Sequence, residues 1–124
     1  MANPNIVNVT SIYGNTSYLI PSGTGATTWT ALTPATNTVN KINNIVASNV
    51  TGSAVAVTVS VNSATGGGGT AYRIAYQISV PANASLIVVD KTTAFYLGDT
   101  QSVVVTVGTG SAIEMTASYE AITS

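Results

Sequence analysis

Seven side chains carry charge in this sequence of 124 residues (Lys41, Arg73, Lys91, Asp90, Asp99, Glu114 and Glu120), and histidine and cysteine are absent. Any acid–base, nucleophilic or metal chemistry must come from this short set. A serine or threonine nucleophile needs a base, which leaves a Ser–Lys dyad on Lys41 or Lys91, and nothing local marks one. Glu114 and Glu120 share a face of an alternating segment, but six residues of strand separate them by about 20 Å. That is beyond the ~5–9.5 Å of a glycosidase pair. Asp90 and Asp99 border turns, where Asp bonds its own backbone; calcium needs more converging carboxylates than these. Gly66-Gly67-Gly68-Gly69-Thr70-Ala71, with Asp90 beyond, formally matches the dinucleotide pattern G-x-G-x-x-G/A. That mechanism requires a helix after the glycines, whereas Tyr72 to Val80 alternates with period two. The glycine run is expected to be a flexible hairpin tip. No catalytic, metal or cofactor residues emerge, and the chain is expected not to be an enzyme.

Binding chemistry is narrowed in the same way. Net charge is −1, and three dispersed cations cannot displace counterions from a phosphate backbone, so no nucleic-acid partner is expected. Exposed aromatics could stack on sugars, as in a glycan-binding module. Tyr72 and Tyr76, however, alternate in phase with Ile74, Ile78 and Val80, which places them on a core face. Trp29 lies in the Thr/Gly-rich stretch Ser22 to Thr33, between Pro21 and Pro34, with no apolar pattern to bury it. It is expected at the surface as an anchor of a protein interface, where Trp is enriched.

The elements that must carry these residues are strands. Val, Ile and Thr supply 46 residues and Leu only four, a balance that suits pleated backbone and not helix. Alternation is clear in 54–62, 71–80 and 112–121. Continuous apolar runs at 85–90 and 102–107 suggest central strands covered on both faces, and 5–12, 17–20 and 27–32 are weaker candidates. In 41–50 the apolar spacing also fits a helix, but Asn43, Asn44, Ser48 and Asn49 compete for backbone hydrogen bonds, so it is assigned to strand. Breakers fall at Gly52, Gly66–Gly69, Pro81-Ala82-Asn83, Gly98-Asp99 and Gly108–Gly110. The expectation is one all-β domain over 1–124: an antiparallel β-sandwich or jelly roll of about eight strands. Residues 1–12 read as either an extended arm or the first strand.

Charge is 6% of residues, against about a quarter in ordinary globular chains. The segments taken as sheet edges, 5–12 and 112–121, hold no lysine, although edge strands are usually protected by charge. Bare edges point to closure or to cover by a neighbouring subunit, hence a homo-oligomer. Ile6, Val7 and Val9, with Trp29, are the candidate interface residues. No leader-like segment opens the sequence and no apolar run reaches the ~18 residues of a membrane span. Absence of cysteine suits assembly in a reducing cytosol.

The opening Met1-Ala2-Asn3-Pro4-Asn5-Ile6-Val7-Asn8-Val9-Thr10, followed by Ile12-Tyr13-Gly14, resembles the start of short virion structural proteins of tailed cyanophages. Further matches are Lys41-Ile42-Asn43, Ala47-Ser48-Asn49-Val50, Val80-Pro81-Ala82, Leu86-Ile87-Val88-Val89-Asp90-Lys91 and the closing Ser118-Tyr119-Glu120-Ala121-Ile122. The sequence departs from that family in the Gly66–Gly69 insertion and in Leu97-Gly98-Asp99-Thr100, where a more acidic turn is expected. The resemblance implies a bacteriophage virion component assembled in the host cytoplasm, foremost a capsid decoration or cement protein partnered by the major capsid protein. Neck, tail or fibre components of the particle, a glycan-binding module, and last an adhesin or pilus subunit are the alternatives.

Overall fold

A computed structural model describes residues 4–123. The strands are β1 (Ser11–Leu19), β2 (Thr27–Thr28), β3 (Thr38–Asn49), β4 (Val55–Asn62), β5 (Ala71–Val80), β6 (Ser85–Val89), β7 (Phe95–Leu97), β8 (Ser102–Val107) and β9 (Ile113–Thr123). One antiparallel sheet runs β1-β9-β3-β6, with β7 continuing β6 along the same edge of β3; the other runs β2-β8-β4-β5. With β6 and β7 as halves of one strand, this is the eight-stranded, two-sheet order of a jelly roll. The core between the sheets is filled by Ile42, Ile45, Val57, Val59, Val103, Val105, Ile113 and Met115, together with Trp29 and Leu32. Most are β-branched, as expected where side chains from two pleated faces interdigitate.

Segment 41–50 is strand, and its asparagines explain how. Asn49 is a buried hub: its Nδ2 donates to the carbonyls of Ser53 (2.8 Å) and Val80 (3.0 Å), and its Oδ1 accepts from Thr51 N–H (2.9 Å) and Oγ1 (2.7 Å). At the β3 bulge between Ile42 and Asn44, the Asn44 side chain takes the Ser118 N–H at 3.0 Å. The amides therefore replace missing ladder bonds and do not stop the strand.

Several expectations are corrected. Segment 112–121 is not an edge, because β9 lies between β1 and β3. Residues 5–8 form a turn, and the first strand begins only at Ser11. Segment 85–90 is not central: β6 is an edge strand whose Ile87 is 65% exposed. Its apolar run reflects a bulge, with Ile45 opposite Val89 but Val46 opposite Ile87. The run 102–107 is central and buried as expected. Its outward Ser102 and Val104 are roofed by the glycine loop, which is itself not a free hairpin tip. Asn62 Nδ2 donates to the carbonyls of Gly67 and Gly69, its Oδ1 accepts from Ala64 and Gly69 N–H, and Ser102 Oγ donates to Ala64 O at 2.6 Å. Gly67 has φ +78°, and a Cβ there would sit 2.6 Å from Thr28 Oγ1.

Candidate assembly surfaces and a charged groove

Strand β5 is the long free edge of the second sheet. Its Tyr72, Ile74, Tyr76 and Ile78 are exposed, and only Val80 is buried. The expected core face fails for two reasons. Register shifts between Val57 and Val59 and between Val59 and Ser60 put extra residues into β5; each such bulge inverts the alternation that follows. Tyr72, Ala75 and Ile78 consequently stand opposite the inward Val61, Val59 and Val57, while Arg73 stands opposite Ser60. The Arg73 guanidinium lies 5.2 Å over the Tyr76 ring, so Tyr76 belongs to the Arg73 side. Moreover, β5 lies at the rim, where the facing sheet covers little of it. Gln77, at φ +49°, donates its N–H to Thr58 Oγ1 at 2.9 Å and fixes one of these irregularities.

The two tyrosines thus point to opposite sides of the strand and make no flat row for a sugar. Trp29, expected at the surface, is 1% exposed. Its Nε1 donates to Ser17 Oγ at 3.0 Å, so it is a core residue and not an interface anchor. The local signal that could have revealed it is Leu32: the 3-10 turn Thr30–Leu32 brings Trp29 and Leu32 into the same core.

The outer face of the first sheet is broad, and its middle carries an uncharged stretch of hydroxyl and apolar side chains. Cross-strand neighbours share a face, which gives rows Tyr18–Thr116–Val46–Ile87 and Thr16–Ser118–Asn44 across β1, β9, β3 and β6. At one end the row Ile12–Ile122–Val39 meets the N-terminal residues. Val39 and Ile122 are nearly buried, and Pro4 and Ile6 line a trough of about 310 Å³ with Val39 and Tyr96. Ile6 is 53% and Val7 90% exposed; Val9 is half-buried.

Four of the seven charges gather around one groove of about 660 Å³ on this face: Lys41, Asp90, Lys91 and Glu120, with Asn43 and Asn44 beside them. Lys41 stands directly opposite Glu120, and Asn43 Nδ2 donates to Glu120 Oε1 at 3.4 Å. Asp90 caps the 3-10 turn Lys91–Thr93: its carboxylate accepts from Thr92 Oγ1 (2.6 Å), Thr92 N–H (2.9 Å) and Thr93 N–H (3.2 Å). Those bonds, the Thr92 hydroxyl foremost, hold its pKa below the ordinary 3.8. Its Oδ1 is therefore committed to the local turn. Glu114 and Glu120 lie six positions apart on β9 and do not converge. Among the described residues no three His, Cys, Asp or Glu side chains group as metal ligands would.

No protein-family model matches the sequence, and no curated protein matches it. Solved structures do resemble it in fold. A subunit of the Bacillus endospore appendages, described as a family of disulfide-linked pili, is 17% identical with a TM-score of 0.53, over 100% of this chain and 96% of that one. The virus-like particle of the extra small virus of the prawn Macrobrachium rosenbergii gives 14% identity, TM-score 0.43, and coverage of 98% and 87%. The T13 particle of infectious bursal disease virus gives 5% identity and TM-score 0.42, over 89% of this chain and 31% of that one. At such identities the appendage subunit is a likeness of architecture alone, and the two viral matches fall below the similarity at which an argument can be built.

Proposed function

We propose that this chain is a non-enzymatic structural subunit of a virion, present in many copies, and more specifically a decoration or cement protein seated on the capsid lattice. The observation that carries the reading is β5: a ten-residue free edge with Tyr72, Ile74, Tyr76 and Ile78 exposed and Arg73 as its sole charge. Its two bulges are one of the devices by which monomers defend an edge, but it lacks the several charges or the proline that usually serve the same end. Contact with neighbouring subunits answers the same need. The hydroxyl-rich outer face of the first sheet offers a second broad surface of the same kind. The resemblance of both ends of the sequence to cyanophage virion proteins selects the particle. A jelly roll is compatible with the role but does not choose it, since folds host many functions.

Each contact would be modest. Placement of many copies on a preformed lattice makes every further contact effectively intramolecular, and the sum holds. With no cysteine in the chain, no joint can be a disulfide. The glycan-binding alternative depended on an exposed Trp29 beside a tyrosine, and a tryptophan 1% exposed cannot supply that platform.

The test is electron microscopy of particles carrying a tagged copy of this chain, with purified protein added to expanded heads and, separately, to tails. Density on the head lattice is the expected result. Attachment to tails or necks alone would move the chain to the alternative position within the particle. Filaments of the purified protein with no affinity for either would overturn the virion reading.

A further inference from the structure

The N-terminal residues sit poorly on their own subunit. Residues 5–8 turn back on themselves, with Asn8 N–H donating to Asn5 O at 3.0 Å and Val7 N–H to Asn5 Oδ1 at 3.0 Å. Among the described residues, the backbone hydrogen bond joining this segment to the sheets is Thr10 N–H to Thr123 O at 2.7 Å. Beneath it lies a patch that needs a cover. Val39 and Ile122 face outward from the sheet yet are only 2% and 5% exposed, and Pro4 is buried. Beside this cover an open trough of about 310 Å³ remains among Pro4, Ile6, Val39 and Tyr96. Ile6 and Val7 remain largely in solvent, and no charge lies between Pro4 and Thr10.

These facts fit a segment whose apolar residues are meant for two surfaces. In extended chain, adjacent side chains point to opposite faces, so Ile6 and Val7 cannot both be buried against one subunit. A segment lying between two copies buries both. Extended, residues 4–10 span about 24 Å, enough to reach from the end of β1 across a subunit boundary. The trough that receives the segment exists in every copy, so exchange re-uses contacts already present within one chain, the economical route to assembly by domain swapping.

We propose that residues 4–10 exchange between copies. The strap leaves its own subunit at Thr10 and lies extended in the Val39–Tyr96–Ile122 trough of a second copy, with Ile6 seated against that copy and Val7 against its own. Such an exchange joins two copies of this chain whichever structure they build.

The absence of cysteine allows a clean test. Copies carrying Ile6→Cys are mixed with copies carrying Tyr96→Cys at high concentration and oxidised. A disulfide requires Cβ atoms within about 4.5 Å, so it reports occupancy of the trough by the other copy's strap. Both sites are about half exposed, and neither substitution threatens the core. The control pairs Ile6→Cys with Gly52→Cys, an exposed turn position with open space around a new Cβ. The expected result is a disulfide-linked heterodimer of the Ile6→Cys and Tyr96→Cys copies as the major oxidised species, several-fold above the control. Cross-linking no greater than the control, with the double variant closing only within one chain, would overturn the proposal.

Discussion

The Trp29 indole donates its N–H to the Ser17 hydroxyl at 3.0 Å, in a place where both residues are buried. The bond joins β1 of one sheet to the segment that follows β2 of the other. It closes the end of the sandwich where β2, only two residues long, could not do so alone. Ser17→Ala leaves a buried indole N–H without a partner and is expected to cost about 1–3 kcal/mol. Trp29→Ala removes the largest core side chain and is expected to cost about 3–5 kcal/mol. Urea denaturation of both variants measures these losses. Because Trp29 is the sole tryptophan, its emission should be blue-shifted, poorly quenched by acrylamide and unchanged on assembly.

The glycine loop should behave as a roof and not as a tether. Asn62→Ala removes four hydrogen bonds that organise residues 64–69 and is expected to cost about 1–3 kcal/mol. Gly67→Ala imposes a left-handed residue with its Cβ against Thr28 Oγ1, expected to destabilise by more than about 1 kcal/mol. Gly66→Ala, with open space around its Cβ, should be nearly neutral. Equal effects at Gly66 and Gly67 would contradict the geometry.

Charge placed on β5 should separate assembly from folding. Ile74→Lys introduces an edge lysine at an exposed bulge position and is expected to change unfolding free energy by no more than about 0.5 kcal/mol. The same change should abolish or sharply reduce incorporation into particles, as followed by sedimentation with heads. Normal incorporation of Ile74→Lys would remove β5 from the interface.

Assembly is expected to depend weakly on salt. Four of the seven charges are confined to the Lys41–Asp90–Lys91–Glu120 groove at one part of the outer sheet face, and β5 carries only Arg73. Incorporation measured from low salt to ~0.5 M, where screening shortens to a few ångströms, should change little. A steep loss would place the groove, and not the apolar edges, at the contact.

The stability profile with pH should be flat through neutrality and fall in acid. The chain has no histidine or cysteine, the side chains whose usual pKa lies nearest neutral. Asp90 has a folded pKa lowered by the Thr92 and Thr93 bonds. Its contribution is therefore present above the ordinary 3.8 and is lost as pH falls through the lower folded value. Thermal melts of the wild type and Asp90→Asn, followed from pH 7 to pH 2, should converge only in the acid limb.

Much of the architecture was written locally. Alternation identifies β4, β5 and β9, a continuous apolar run identifies β8, and the asparagines of 41–50 decide β3 for strand over helix; Gly, Pro and Asn mark strand ends, because strand geometry and turn sterics act over a few residues. The scarcity of charge, read with no knowledge of the fold, already excluded most site chemistry, since residue types that are absent cannot be supplied by folding. What alternation could not show was which strand lies at a rim. Tyr72 and Ile78 have the pattern of a core strand, yet bulges and the missing cover of an edge leave them in water. Trp29 has no pattern around it, yet a single turn of 3-10 helix and the Ser17 hydroxyl draw it inside. Lys41, Asp90, Lys91 and Glu120, up to 79 positions apart in sequence, meet at one groove only because β3, β6 and β9 share a sheet. Strand identity is a property of neighbours along the chain; burial, edge position and convergence depend on neighbours in space, and those the tertiary structure alone decided.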